Sequence, residues 1–127
     1  NRSMGIVYCD VTGLKKVNDT QGHEMGDRLL KTACESLRRV FDGYGLFRIG
    51  GDEFLAAANG VTREELSEHV RLLKEDMKVH GVNMAVGEVW TDKAPRNQDA
   101  LLTEAEKLMY QDKADYYKRT GIDRRKY

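Results

Sequence analysis

The sequence has no long apolar run, no excess of either charge and no cysteine pattern, and each absence narrows what it can be. No stretch approaches the ~20 consecutive apolar residues that a membrane-spanning helix needs, and the first residues lack the pattern of a signal peptide. The 127 residues carry 21 Lys plus Arg against 21 Asp plus Glu, a formal net charge of zero. A protein that binds nucleic acid by neutralising phosphates normally shows a basic excess, so no nucleic-acid partner is expected. A small phosphorylated ligand needs only a few placed cations and stays open. The two cysteines, Cys9 and Cys34, have neither CxxC nor Cys/His spacing, which argues against zinc and against a disulfide framework. A reducing, cytoplasmic setting follows, with no direct membrane contact from this domain. There is no internal repeat, low-complexity segment or linker, so residues 1–127 read as one domain.

What is present is a regular alternation of apolar patterns. Met4 to Cys9 is short and apolar and reads as a buried strand ending at Asp10. A turn-rich stretch follows, with Thr12-Gly13 and Asn18-Asp19-Thr20-Gln21-Gly22. Met25, Leu29, Leu30, Ala33, Leu37, Val40 and Phe41 then mark one face of a helix over roughly 24–41. Residues 44–49 and 53–58 are short apolar runs around Gly50-Gly51 and predict a hairpin. Thr62 to Glu65 fits a capping box, and Leu66, Val70, Leu73 and Met77 predict a second helix, stopped by Gly81. Val82 to Trp90 reads as a mostly buried strand, and the segment around Pro95 as a loop. Asn97 or Asp99 would cap a last helix with Leu101, Ala105, Leu108 and Met109 inward. The basic tail after Gly121 reads as surface. The order strand, helix, hairpin, helix, strand, helix predicts an α+β, ferredoxin-like sandwich: a mainly antiparallel sheet with helices on one face.

The residues able to do chemistry gather at the turns. Gly50 and Gly51 let the chain turn tightly and let a bulky ligand approach the backbone. Asp52 and Glu53 follow directly; adjacent acids on an exposed turn are usually only solvated, but flanking apolar strands make this placement less accidental. Asp10, closing an apolar strand, is either a cap for the next turn or a metal ligand. In the expected sheet the first strand runs beside the hairpin, so Asp10 and Asp52 approach one another. Two carboxylates at close range hardly both ionise without a cation between them, and a sparse set of hard oxygen ligands suits magnesium. Backbone N–H groups of the turn Val11 to Lys15 can face phosphate oxygens. Lys15 either adds charge there or is an ordinary surface lysine. Asn18 and Asp27 either read the amide edge of a purine or serve as turn former and helix N-terminal charge.

Arg48-Ile49-Gly50-Gly51-Asp52-Glu53-Phe54 and the stretch Asp10 to Asp27, with its Asn18-Asp19, Gly22-His23 and Gly26-Asp27 pairs, resemble the GGDEF family of diguanylate cyclases. Tyr110-Gln111-Asp112-Lys113 is a weaker echo of the family's YxxK. The resemblance implies that two GTP molecules, one on each subunit of a homodimer, condense into cyclic di-GMP and two pyrophosphates. It implies that Asp10, Asp52 and the main-chain carbonyl of Val11 hold Mg2+ or Mn2+, two ions per active site. Asp52 would accept a proton with Glu53 as helper, and Lys15 would stabilise phosphate charge. Gly13 and Leu14 would offer N–H groups to the phosphates, while Gly50 and Gly51 make room for the nucleotide. Asn18 and Asp27 would read guanine, His23 would line the pocket and Lys113 would reach the terminal phosphates. The domain would be cytoplasmic, within a parent that is either soluble or membrane-tethered.

Four departures from the family pattern stand out. Thr12 stands where a second Asp is common. Phe41 and Tyr44 stand at the Arg and Asp of the inhibitory RxxD, so that product site is expected to be absent. Tyr117 stands where an arginine is expected, with Arg119, Arg124 or Arg125 as candidate substitutes. The DxLTGLxNR stretch and helix that normally precede the first strand are not in these residues. The alternative to an active cyclase is a degenerate GGDEF module that binds GTP as a sensor or interaction domain without turnover; a purely structural dimerisation domain is a third reading.

Overall fold

The computed structural model describes residues 2–93 and 98–121. In chain order the elements are β1 (Met4–Val11), α1 (Leu14–Gln21), α2 (His23–Val40), β2 (Gly45–Arg48), β3 (Glu53–Asn59), α3 (Arg63–Val79), β4 (Met84–Thr91) and α4 (Asp99–Thr120). The four strands form one sheet in the order β2-β3-β1-β4, every neighbouring pair antiparallel. This is the ferredoxin-like arrangement that the order of patterns predicts.

All eight residues of β1 are buried, because helices cover both faces of the sheet. On one face Val7, Cys9 and Val11 join Ala33, Leu37 and Phe41 of the α2 side and Leu66, Val70, Leu73 and Met77 of α3. On the other, Met4, Ile6 and Tyr8 meet Ala105 and Met109 of α4. The expectation of helices on one face therefore holds for α2 and α3, while α4 forms a layer of its own. A strand apolar on both sides already carries that information, since a half-exposed strand would alternate with polar residues.

The stretch expected to be turn-rich holds a helix instead. Leu14-Lys15-Lys16-Val17-Asn18-Asp19-Thr20-Gln21 has few apolar residues and several turn formers, and none of it is fully buried. An isolated helix of this length is not stable in water; packing against α2 supplies what propensity does not. Gly13 (φ 74°) and Gly22 (φ 91°) bracket it in conformations that favour glycine. The capping box of α3 is present as predicted: Glu65 N–H donates to Thr62 Oγ1 at 3.0 Å and Thr62 N–H to Glu65 Oε1 at 2.8 Å. Asp99 is the first residue of α4, and Gln98 before it gives no side-chain cap. Asn97 and the tail beyond Gly121 lie outside the described residues.

The seat of α4 on β4 depends on one missing side chain. A Cβ on Gly87 would strike the Ala105 carbonyl oxygen and come within 2.5 Å of the Met109 nitrogen, both main-chain atoms. Beside it, Asp112 Oδ2 accepts the Val86 N–H at 2.8 Å, tying the helix to the outer strand. Gly87→Ala is therefore expected to cost about 3 kcal/mol or more, the upper end for overpacking because backbone cannot step aside. Thr62→Ala should cost about 1 kcal/mol. Urea denaturation of the two variants checks the order.

Candidate active site at the end of the central strand

Side chains alternate along β1, so Asp10 falls on the α4 face with Ile6 and Tyr8. It is paired with Glu53 in the β1–β3 register, and Val11 N–H donates to the Asp52 carbonyl at 3.0 Å. The sheet thus brings Asp10, Val11, Asp52 and Glu53 together, as the hairpin reading predicts. Asp10 is 1% exposed. Its Oδ2 accepts from Lys113 Nζ at 2.8 Å, while its Oδ1 is buried with no hydrogen-bond partner. Burial raises the Asp10 pKa to about 6, the Lys113 hydrogen bond and charge pull it down, and the nearby Asp52 adds to the rise. Burial acts on Lys113 in the opposite sense, but Asp10 outweighs it, and the lysine is held above its ordinary value.

An unpartnered buried carboxylate oxygen beside a second carboxylate is a seat for a cation. Among the described residues no group of three or more His, Cys, Asp or Glu converges. The donor set therefore fits an ion such as Mg2+, which takes one or two carboxylates and fills its shell with water and phosphate oxygens.

Glu53 is held from below. The Tyr8 hydroxyl lies 3.0 Å from Glu53 Oε1 and 3.3 Å from Glu106 Oε2. Burial and then Glu53 itself push the Tyr8 pKa up, so it remains a phenol that donates. Glu106, Tyr110, Lys113 and Tyr117 recur at spacings of four, three and four on one face of α4. Tyr8 and Glu106 are site residues that the sequence reading missed, with the alternation with Asp10 and this helical spacing as the available signals; Tyr117 stood out only as a departure from the family pattern.

At the hairpin tip, Arg48 clasps the turn, Nε donating to the Gly50 carbonyl at 3.2 Å and Nη2 to the Gly51 carbonyl at 2.5 Å. Neither Gly50 nor Gly51 has a positive φ, and a Cβ on Gly51 would meet nothing within 4 Å. The tight-turn reason expected for these glycines is not the one the structure uses. What they leave is bare main chain facing outward.

The β1–α1 turn is partly occupied. Thr12 N–H and Oγ1 both donate to the Asn83 carbonyl, and Asn83 Nδ2 donates back to Thr12 Oγ1 at 2.9 Å. Gly13 N–H donates to the Tyr117 hydroxyl at 3.2 Å. Leu14 opens α1 beside it. Lys15 is exposed on the first turn of α1 and pairs with Asp19 at 3.9 Å. Arg119 lines a separate hollow of about 750 Å3 that also reaches Gly13, Lys16 and Lys78; Arg124 and Arg125 lie outside the described residues.

Asp27 lines a groove of about 540 Å3 between α2 and the hairpin, with Leu30, Cys34, Arg38, Phe47 and Phe54. Asn18 lies against Gly26, the residue before Asp27. His23 is exposed at the start of α2 and does not line the groove. Where an inhibitory RxxD would sit, Phe41 is buried and packs with Tyr44 and His69, ring centroids 5.4 to 6.4 Å apart.

The sequence matches the family described as "Diguanylate cyclase, GGDEF domain" over residues 1–119. This chain belongs to the GGDEF domain family. An EAL/GGDEF domain protein from M. capsulatus superposes on this GGDEF domain with a TM-score of 0.75 at 27% identity, covering 89% of this chain and 79% of that one. The active GGEEF domain of a diguanylate cyclase from Vibrio cholerae has the same fold, with a TM-score of 0.80 at 17% identity over 89% and 78% of the two chains. An uncharacterized membrane protein of Staphylococcus aureus (strain USA300) is 28% identical over 123 residues, 87% of this chain but 34% of that protein. The domain thus spans about a third of that relative. Members of the family use GTP, act as dimers and generally use a divalent metal. Among the described residues no helix is long and apolar enough to cross a membrane.

Two variants should move Asp10 in opposite directions. Asp52→Asn removes a like charge and lowers its pKa; Lys113→Met removes a hydrogen bond and a positive charge and raises it further. Carboxyl-carbon NMR titration reads both shifts. The sign for stability follows from a folded value of about 6 against an ordinary 3.8. The favourable contribution of Asp10 is complete below 3.8 and is lost as pH rises through about 6.

Proposed function

We propose that this GGDEF domain is a diguanylate cyclase that condenses two GTP into cyclic di-GMP and two pyrophosphates as a homodimer. The observation that carries the reading is the buried Asp10 carboxylate, one oxygen unpartnered, beside Asp52 at the tip of the Gly50-Gly51-Asp52-Glu53-Phe54 hairpin. Asp10, Asp52 and the Val11 carbonyl would hold Mg2+ or Mn2+. A second ion in the same site would take most of its ligands from the substrate, since two carboxylates are what these residues supply. When bound, the metal polarises the α-phosphate and favours the ionised hydroxyl.

The protein's own groups do the rest. Asn18 and Asp27 hydrogen-bond the guanine, with His23 at the pocket rim. Gly50 and Gly51 admit the nucleotide against bare main chain. Leu14 N–H faces the phosphates, and Gly13 N–H does so once it is released from Tyr117. Lys15, and Lys113 after it leaves Asp10, stabilise the negative charge that builds there. The 3′-oxygen of one GTP bonds to the α-phosphorus of the other, the bond to pyrophosphate breaks, and the hydroxyl proton passes to the Asp52 carboxylate. Tyr8 holds Glu53 in place, so Glu53 acts as an oriented helper. The same exchange, repeated with the roles reversed, closes the ring. The parent protein is read as membrane-tethered with this domain on the cytoplasmic side, a reading supported by the S. aureus relative's description as a membrane protein.

One observation favours the alternative, a degenerate GGDEF module that binds GTP as a sensor without turnover. Tyr117 stands where the family has an arginine and takes up the Gly13 N–H. Incubation with GTP and Mg2+, with mass detection of the product, separates the two. The cyclase reading expects cyclic di-GMP at a specific rate that climbs with protein concentration, because each subunit brings half of the reactants. Asp52→Asn should lower that rate about 100-fold or more. Stoichiometric GTP binding with no product at high concentration would establish the alternative instead.

A further inference from the structure

Gly26 is buried in the first turns of α2. A Cβ built there would overlap the Asn18 side-chain oxygen outright and lie 2.9 Å from its Cγ and 3.3 Å from Leu14 Cδ1. The Asn18 amide oxygen therefore points end-on at the bare backbone of α2, one residue before Asp27. Asn18 is half-buried, yet its amide makes no hydrogen bond to any described residue. Its direction is set by shape alone: the side chain rests where it does because Gly26 has none. The rest of α1 is pinned independently, through Gly22 N–H on the Asn18 main-chain carbonyl at 3.1 Å and Val17 N–H on that of Gly13 at 3.0 Å.

We infer that Gly26 is a positioning residue for base recognition, whose missing side chain gives the Asn18 amide oxygen its seat on α2 and thereby aims the amide NH2, with its donors unspent, at an acceptor of the guanine that Asp27 also meets. This rests on the proposal that Asn18 reads guanine. The consequence separates stability from recognition. Glycine is a poor residue inside a helix and alanine the best. The atom an alanine methyl would meet is the far end of a movable side chain rather than backbone. Gly26→Ala is thus free to fold, and what it displaces is the Asn18 amide. Guanine presents N–H donors and a carbonyl acceptor on one edge where adenine presents a different set, so a misaimed amide costs discrimination before it costs stability.

The experiment compares wild type, Gly26→Ala, Asn18→Ala and the double variant in Mg2+. Equilibrium dialysis gives the affinities for GTP and ATP, and thermal melting gives the stability. Asn18→Ala should reduce the GTP-over-ATP preference about 10-fold or more. Gly26→Ala should reduce it by a similar factor while melting at or above the wild-type temperature. The double variant should be no worse than Asn18→Ala, since with the amide gone the methyl has room. A Gly26→Ala domain that keeps the wild-type preference overturns the inference, as does one that melts far below wild type or one whose loss simply adds to that of Asn18→Ala. If Asn18→Ala alone leaves the preference intact, the reading of Asn18 fails, and this inference fails with it.

Discussion

A carboxylate taken out of water at the end of the central strand governs what surrounds it. Asp10 cannot be repositioned toward solvent, because β1 is buried on both faces and paired on both edges. Burial penalises its charge, and Asp52 beside it adds to that penalty. One Lys113 contact at 2.8 Å relieves only half of the group, leaving Oδ1 unmatched. Around this carboxylate the sheet, the hairpin and α4 have to converge: the hairpin sets Asp52 and Glu53 against the strand end, and α4 delivers the ammonium. A neutral core would need none of this. An ion-pair element that leaves a buried oxygen unsatisfied is poor engineering for stability alone, and it makes sense where a second cation arrives.

Lys113 gives this arrangement a working logic. It is 21% exposed at the side chain, enough to move, and it sits two turns before the end of α4. The helix is anchored close by through Asp112 on β4 and through the close approach at Gly87. The lysine is thus the movable end of a fixed support. On the proposed reading, the amine that pairs with Asp10 in the free domain turns to a substrate phosphate once Asp10 has another partner.

Much of the fold was legible, and the reasons are particular. β1 is a continuous apolar run, α2, α3 and α4 each carry apolar residues at the helical period, and Thr62 with Glu65 announces the start of α3 in four residues. The juxtaposition of Asp10 and Asp52 followed from the order of the elements alone. α1 was not legible, since Leu14 to Gln21 is a helix by virtue of its packing on α2 and its own residues favour turns. The separate layer under α4 was visible only in the lack of alternation in β1. Within the site, acids and glycines at turns stood out, while Tyr8 and Glu106 did not. They act on Glu53 from elements whose pattern reads as plain core and plain helix surface. Gly26 was visible as part of a motif, but its purpose depends on how closely two helices pass.

The bond from the Val86 N–H to Asp112 has a consequence beyond holding α4 in place. β4 is an outer strand, and an outer strand with open main-chain donors invites another chain to extend the sheet. Here a donor on that rim is already taken by a carboxylate, and a charged side chain stands over it. An incoming strand would have to expel Asp112 and forfeit the seat of the helix that carries Lys113. At that position the β4 rim is thereby blocked to an added strand, and extending the sheet on this side carries the cost of unseating α4.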